Sequence, residues 1–240
     1  MARFKAVILD LDGVVTQTAR LHAEAWKRLF DEYLGKRTEG EARPFDVERD
    51  YLLYVDGKPR QDGVRGFLES RGIHIPLGNH ADSPDVETCH GLGNRKDGYF
   101  KEILRRQGPE VFEDAVDALE AWRQKGLKTA IASSSKNCAE ILESAGLEEL
   151  FDVRVDGTHL QRWDMPGKPA PDMFLAAARE LGVQPGEAML FEDAISGVEA
   201  GRKGEFGMVV GVARNGSADA LRRAGADRVV AKLTEVSKEP

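Results

Sequence analysis

Two carboxylates near the N-terminus, Asp10 and Asp12, have the residue types and spacing for paired acid chemistry. They follow the apolar run Phe4–Leu9 and precede Gly13. Carboxylates two residues apart at a strand end can project into one crevice, where one can act as a nucleophile and the other as a general acid or base. The same Asp-x-Asp-Gly pattern is common where chains reverse, so an ordinary turn remains an alternative.

A run of hydroxyls could bind an anion. The run Ser133-Ser134-Ser135-Lys136-Asn137 follows the apolar stretch Leu127–Ala132. Hydroxyls and backbone N–H groups at a helix start can bind phosphate, and the lysine adds positive charge. The plainer interpretation is a serine that caps a helix.

Lys168 and two adjacent acids complete the set of chemical groups. Lys168 lies in a proline-stiffened loop, where a fixed ammonium could neutralise a phosphate or a carboxylate; otherwise it is a surface lysine. Glu192 and Asp193 follow the apolar run Ala188–Phe191 and suit a hard cation such as Mg²⁺. One of these acids could instead cap the helix that begins near Ile195.

A parallel sheet covered by helices would bring these groups together. The predicted strands are Phe4–Leu9, Leu127–Ala132, Phe151–Val155, Ala188–Phe191, Met208–Val212 and Arg228–Val230, and the predicted helices between them are Lys136–Ala145, Pro171–Leu181, Ile195–Lys203 and Ala218–Ala224. Short apolar strands that alternate with helices predict a parallel sheet with both faces covered. The carboxyl ends of such strands are where sites form.

The stretch after the first strand has a different pattern. Apolar residues recur at helical spacing from about Leu21 to Leu34, Gly35–Pro44 resembles a loop, and no convincing strand occurs between Asp46 and Arg106. We therefore predict an α/β fold. A doubly wound (Rossmann-like) parallel-sheet core, residues 1–17 and 95–240, carries an inserted α-helical cap domain, residues 18–94.

Composition excludes several classes of protein. The 240 residues are 41% hydrophobic and 31% charged, which is typical of a folded globular chain rather than a disordered one. The net charge of −7 disfavours nucleic acid as a partner, and no apolar run is long enough to span a membrane. Two cysteines and no export signal suggest a cytoplasmic protein without a disulfide framework, with a monomer as the default.

The ordered set of groups resembles the haloacid dehalogenase-like (HAD) superfamily of phosphotransferases, and within it the β-phosphoglucomutase-like subgroup. The resemblance covers nearly the whole chain. It rests on Asp10–Thr18 with His22 and Trp26 downstream, Ala132–Asn137, Lys168–Phe174, Glu192–Gly197, Gly57-Lys58-Pro59-Arg60 and Asn94-Arg95-Lys96. It implies phosphoryl transfer on a small-molecule sugar phosphate through an aspartyl phosphate, with Mg²⁺ as the cofactor.

The resemblance also implies a role for each catalytic residue. Asp10 would be the nucleophile and Asp12 the general acid/base. Ser133 would hold the transferring phosphoryl group, and Lys168 would neutralise it. The implied metal ligands are Asp10, Asp12 through its backbone carbonyl, Glu192 and Asp193.

The implied substrate-binding residues lie mostly outside the strand ends. They are Thr16, His22, Trp26, Gly57, Arg60, Lys96, Ser134, Ser135, Lys136 and Asn137. Arg60 would bind the phosphate that is not transferred, and His22 and Lys96 would link Asp12 to the cap. Each has a plainer interpretation: a packed helix residue for His22, core for Trp26, solvation or pairing with Asp62 for Arg60, and a solvated charged run for Lys96.

Two activities share these catalytic residues. A mutase would convert β-glucose 1-phosphate into glucose 6-phosphate by passing the phosphoryl group from Asp10 to a sugar hydroxyl, whereas a phosphatase would pass it to water. The matches in the insert favour the mutase. Gln17 departs from the subgroup, which often has aspartate at this position of the hinge. A non-catalytic binding protein is disfavoured because every catalytic acid is present.

Overall fold

The structure is a computed structural model that describes residues 4–37, 43–55, 60–214 and 218–237. In these ranges the strands are β1 (Ala6–Leu9), β2 (Thr16–Gln17), β3 (Glu110–Val111), β4 (Lys128–Ala132), β5 (Val153–Val155), β6 (Ala188–Glu192), β7 (Met208–Val212) and β8 (Arg228–Val230). The α-helices are α1 (Ala19–Leu34), α2 (Arg60–Glu69), α3 (Cys89–Gln107), α4 (Glu113–Gln124), α5 (Cys138–Ala145), α6 (Gly157–Arg162), α7 (Asp172–Leu181), α8 (Ile195–Lys203), α9 (Ala218–Arg223) and α10 (Thr234–Ser237).

Six strands form one parallel sheet in the order β5-β4-β1-β6-β7-β8, which confirms the predicted doubly wound fold. Every residue of β1 is fully buried, because apolar side chains cover both faces of this central strand. One face packs on α7, whose Phe174 and Ala177 are also fully buried. The apolar runs in the sequence therefore mark the strands.

The register brings three strand ends to the same height. Leu9 at the end of β1 lies opposite Ile131 of β4 and Phe191 of β6. The residues that follow these positions therefore emerge side by side at the carboxyl edge of the sheet. Asp10, Ser133 and Glu192 are within two residues of that line.

The chain divides into two compact units, residues 1–18 with 109–240 and residues 19–108. The boundary predicted from the sequence, between residues 94 and 95, lies inside α3, whereas the second compact unit extends to residue 108. Gly91 and Gly93 do not interrupt this helix, which ends at Gly108 with a positive φ of 70°. In the first unit β2 and β3 form a short antiparallel ribbon, with Thr16 opposite Val111.

The unit of residues 19–108 is helical in its described part, which contains no strand. Its core is a cluster of aromatic side chains around Phe30, which packs against Trp26, Phe45 and Phe67 at centroid distances of 4.0–5.2 Å. A π-helical turn, Tyr51–Val55, precedes α2. Within the described ranges no helix has both the length and the apolar character needed to cross a lipid bilayer.

Candidate active site

Asp10 and Lys168 form the centre of the site at the carboxyl edge of the sheet. The Lys168 Nζ donates to Asp10 Oδ1 at 2.5 Å and also pairs with Glu192. All three side chains are nearly inaccessible, with 12% of Lys168, 8% of Asp10 and none of Glu192 exposed. A buried ammonium between two carboxylates holds positive charge where an anionic group would approach Asp10.

Burial and mutual charge shift the pKa values of this cluster. Burial is the largest cause that raises the pKa of Asp10 well above its ordinary value, and it outweighs the opposing charge of Lys168. Burial lowers the pKa of Lys168, but the charges of Asp10 and Glu192 raise it by more, so the net shift is upward. The lysine is therefore protonated across the neutral pH range.

Three acids form a group that fits a metal ion. Asp10, Glu192 and Asp193 each offer a carboxylate oxygen, and these atoms lie within 4.8 Å of one another. The pKa of Asp193 is raised to about 7, first by burial and then by the negative charge of Glu192. Like charges packed this closely, with only hard oxygen donors, suit a small divalent cation.

Two glycines allow the acids to come this close to the backbone. A Cβ on Gly13 would lie 1.9 Å from Asp193 Oδ2, and the φ of Gly13 is +80°. A Cβ on Gly197 would lie 2.0 Å from Glu192 Oε1. No side chain fits at either position, so the two glycines leave room for the carboxylates. Neither acid is the N-cap of α8, which is Ala194; its N–H donates to Glu192 Oε2 at 2.6 Å.

Asp12 is oriented by a residue that the sequence analysis did not single out. The Thr18 hydroxyl donates a hydrogen bond to Asp12 Oδ1, and the Thr18 side chain is fully buried. The turn before it is closed by a 2.7 Å hydrogen bond from the Gly13 N–H to the Thr16 carbonyl. Thr16 is buried and lies on β2, where its hydroxyl donates to the Leu11 carbonyl. The contacts of Thr16 therefore stabilise the backbone of this loop.

The serine run forms a tight loop rather than a helix start. The Ser133 N–H continues the sheet ladder to the Val155 carbonyl at 3.0 Å. The Ser135 N–H donates to the Ser133 hydroxyl at 3.1 Å, and the Asn137 N–H donates to the Ser135 hydroxyl at 3.2 Å. These two N–H groups already have partners, so the hydroxyl protons of Ser133 and Ser135 are better candidates for anion contacts.

The helix after this loop begins later than predicted. α5 starts at Cys138 instead of Lys136, because the serine hydroxyls bind the preceding N–H groups in non-helical turns. The Lys136 Nζ donates to Gln161 at 2.7 Å in an exposed position. Ser134 is exposed, whereas Asn137 is buried as the N-cap residue.

In the helical unit, three of the predicted substrate-binding residues lie together. His22 stacks on Phe100 with centroids 4.0 Å apart, and its Nδ1 is 2.6 Å from Lys96 Nζ. The pKa of His22 is well below its ordinary value because of burial and the charges of Lys96 and Arg60. Lys96 is 4% exposed and lies 5.1 Å from the Trp26 ring centroid, so it is not part of a solvated face.

Of the two predicted substrate-binding residues Arg60 and Gly57, the structure describes only Arg60. Arg60 pairs with Asp97 at 3.1 Å, whereas Asp62, the partner considered in the sequence, pairs with Arg65. The Arg60 side chain remains 29% exposed. Gly57 lies outside the described residues.

Without bound metal, this cluster makes stability depend on pH. A carboxyl whose pKa is raised on folding stabilises the protein below its unfolded pKa, and this contribution is lost as the pH rises through the folded value. For Asp193 that window runs from 3.8 to about 7. We expect urea unfolding of chelator-treated protein to show wild type losing stability relative to Asp193→Asn as the pH rises through this window.

Wild type must be compared with Asp193→Asn because His22 changes the stability with pH in the opposite direction to Asp193. Its lowered pKa means that stability is lost as the pH falls below 6.5. This contribution is the same in wild type and Asp193→Asn. A difference between the two that does not change with pH would contradict the assignment to Asp193.

Comparison with known proteins identifies the family. The profile of the haloacid dehalogenase-like hydrolases matches residues 4–204, which includes every strand-end group described above. The chain belongs to this family. It is 49% identical over 240 residues to the β-phosphoglucomutase of Mycobacterium bovis, covering 98% of this chain and 92% of the relative.

Other members of the family are also similar over nearly the full length. A phosphorylated carbohydrates phosphatase of Thermotoga maritima is 32% identical, with 94% of each chain covered. The crystal structure of a HAD family hydrolase from Deinococcus radiodurans, with bound phosphate and sodium, superposes with a TM-score of 0.72. It is 27% identical and covers 98% of this chain and 94% of that one. The chain is thus a HAD-family enzyme with both mutase and phosphatase relatives.

Proposed function

We propose that this protein is a phosphomutase that converts β-glucose 1-phosphate into glucose 6-phosphate through an aspartyl phosphate on Asp10. The geometry that supports phosphoryl transfer is the buried Asp10 carboxylate beside the Lys168 ammonium, at 2.5 Å. The choice of a mutase rests on the 49% identity to a β-phosphoglucomutase over 98% of the chain.

In the proposed reaction, an Asp10 oxygen attacks phosphorus and the bond from phosphorus to the sugar oxygen breaks. Asp12 gives its proton to the leaving oxygen. In the second transfer Asp12 takes a proton from the accepting sugar hydroxyl as that oxygen attacks the phosphoaspartate. Lys168 offsets the repulsion between the carboxylate and the phosphoryl oxygens, and the Ser133 hydroxyl donates to one of them.

We propose Mg²⁺ as the cofactor, held by Asp10, Glu192 and Asp193 with the backbone carbonyl of Asp12. When bound, the ion supplies positive charge that stabilises the phosphoryl oxygens. The raised pKa of Asp193 supports this assignment, since a cation there would favour the ionised carboxyl. We also place the enzyme in the cytoplasm, because Cys89 and Cys138 are free thiols.

A sugar-phosphate phosphatase is the second candidate, and the Thermotoga maritima phosphatase favours it. Both activities use the same first step on Asp10. They differ only in whether a sugar hydroxyl or water accepts the phosphoryl group. The products therefore distinguish them.

The deciding experiment follows both products by phosphorus NMR. The protein is incubated with β-glucose 1-phosphate, Mg²⁺ and a trace of glucose 1,6-bisphosphate, and Asp10→Asn serves as the matched control. We expect rapid formation of glucose 6-phosphate with little free phosphate. Free phosphate without glucose 6-phosphate would instead establish the phosphatase. The absence of both products would exclude glucose phosphate as the substrate.

Arg60 gives a prediction about substrate binding. If its guanidinium binds the phosphate that is not transferred, Arg60→Ala should reduce kcat/KM for the sugar phosphate by about 100-fold, as expected for loss of a charged bidentate contact. p-Nitrophenyl phosphate carries no phosphate besides the one that is transferred, so the rate of its hydrolysis should change by less than about twofold. Arg65→Ala, on the same helix, is the control. Equal losses with both substrates would contradict this role.

A further inference from the structure

Arg214 lies in the loop after β7, and its side chain connects three parts of the core unit. Its guanidinium pairs with both oxygens of Asp114, at the start of α4, at 2.7 and 3.1 Å. It also donates to the Val14 carbonyl at 2.9 Å and lies 3.8 Å from the Phe112 ring centroid. The side chain is only 10% exposed, so these contacts are shielded from water.

The Val14 carbonyl belongs to the loop that carries Asp12. Within this loop the N–H groups of Val15 and Thr16 both donate to the Leu11 carbonyl at 2.9 Å. The turn is therefore a small, internally bonded unit, and a contact at Val14 constrains the whole of it. Arg214 is a contact from this turn to the loop after β7.

Arg214 also lies next to the ribbon formed by β2 and β3. The Phe112 N–H donates to the Val15 carbonyl at 3.0 Å, directly beside the carbonyl that Arg214 binds. Asp114 in turn accepts a 2.7 Å hydrogen bond from the Leu233 N–H, so it is itself fixed. The planar guanidinium satisfies a carboxylate, a carbonyl and a ring face at once, which a lysine ammonium does not.

We propose that Arg214 is a positioning residue, which fixes the loop from Leu11 to Thr16 and so places the Asp12 carboxyl where it protonates the leaving oxygen. This inference rests on the proposed role of Asp12 as the general acid. It does not depend on which sugar phosphate is the substrate. Arg214 itself touches no reacting group.

The consequence is a dependence on the leaving group. Departure of phenolate gains more from a proton than departure of the less basic p-nitrophenolate. Displacing Asp12 should therefore slow reaction with phenyl phosphate more than reaction with p-nitrophenyl phosphate. A residue that only stabilises the fold would reduce both rates by the same factor.

The test compares kcat/KM of Arg214→Gln and Arg214→Lys for these two aryl phosphates in the presence of Mg²⁺. We expect Arg214→Gln to lose about tenfold with phenyl phosphate and less than about twofold with p-nitrophenyl phosphate, with a smaller split for Arg214→Lys. Asp12→Asn should show the same preference more strongly. Thermal unfolding is recorded for each variant, and Arg214→Lys remains informative if the glutamine variant does not fold.

Arg123→Gln is the matched control. Arg123 also pairs with an aspartate, Asp152, and donates to a backbone carbonyl, that of Leu150. It lies beside Thr129 near the start of β4, at the opposite edge of the sheet from Asp12. Its loss should not change the ratio of the two rates.

The outcomes separate this inference from the proposed function. Equal losses with both aryl phosphates, or no loss, in the Arg214 variants would overturn the positioning role. If the Asp12→Asn control shows no leaving-group preference, the general acid is another group and the proposal for Arg214 fails with it. The mutase assignment is decided separately, by the products formed from β-glucose 1-phosphate.

Discussion

Asp10→Asn should abolish turnover of every phosphate ester, lowering kcat/KM by at least about 10⁴-fold. The amide occupies the same volume but lacks the negative oxygen that must attack phosphorus. Wild-type protein mixed with a phosphoryl donor and quenched in acid should gain the mass of one phosphoryl group. The variant should gain none, as measured by mass spectrometry of the peptide that contains residue 10.

The substitution should leave the fold intact. Because burial raises the pKa of Asp10, its ionised form is unfavourable in the metal-free protein, and a neutral amide relieves repulsion with Glu192. Asp152→Asn is the control, since Asp152 lies before β5 at the far edge of the sheet and accepts from the Thr129 N–H. Normal turnover by Asp10→Asn, or equal loss in both variants, would contradict a nucleophilic role.

The sequence predicts the sheet well because its strands are buried on both faces. Such strands appear as continuous apolar runs, and the predicted Met208–Val212 and Arg228–Val230 match the observed strands. Asp10, Ser133 and Glu192 could be placed for the same reason, since each lies at or directly after the end of such a run, whereas α6 separates Lys168 from β5. Their convergence then follows from parallel topology alone.

Shorter elements could not be predicted in this way. β2 and β3 have two residues each, too few for any pattern of alternation. Their pairing depends on residues almost 100 positions apart in the sequence. The short helix α6 had a local signal, because Asp156 and His159 form a capping box, but its few apolar residues give no periodicity.

The C-terminal boundary of the insert depends on where α3 ends. Gly93 lies in the second turn of α3, where a Cβ would be 3.5 Å from the Arg60 side chain, and the helix continues through it. The true end is Gly108, whose positive φ and following proline terminate the helix. Thr18 and Arg214 were missed because their importance comes from tertiary contacts, to Asp12 and to Val14.

Lys168→Met should have two large effects, one on turnover and one on stability. Removing the ammonium beside Asp10 removes charge that stabilises the phosphoryl oxygens, so kcat/KM should fall by about 10³-fold. It also leaves the buried Glu192 carboxylate without its cation. Breaking a buried ion pair costs about 3–5 kcal/mol, and urea unfolding of metal-free protein at neutral pH should show a loss of this order.

The pH dependence of this loss has a definite sign. The pKa of Lys168 is raised from its ordinary value of 10.5, so its stabilising contribution is present throughout the neutral range and is lost only as the solution becomes strongly alkaline. Acid conditions should reduce the difference between variant and wild type, because protonated carboxyls no longer need the cation. Lys128→Met is the control, since Lys128 donates to the Leu181 carbonyl at the opposite edge of the sheet.

The Mg²⁺ affinity of Lys168→Met shows whether this lysine affects the metal site through its charge or by positioning the carboxylates. Lys168 neutralises two of the three carboxylates that could hold the ion, so it competes with the metal for their charge. Lys168→Met should therefore bind Mg²⁺ more tightly than wild type in a calorimetric titration, although it turns over more slowly. Weaker binding would mean that the lysine holds the carboxylates in place, and that their positions, rather than their total charge, determine how the site binds metal.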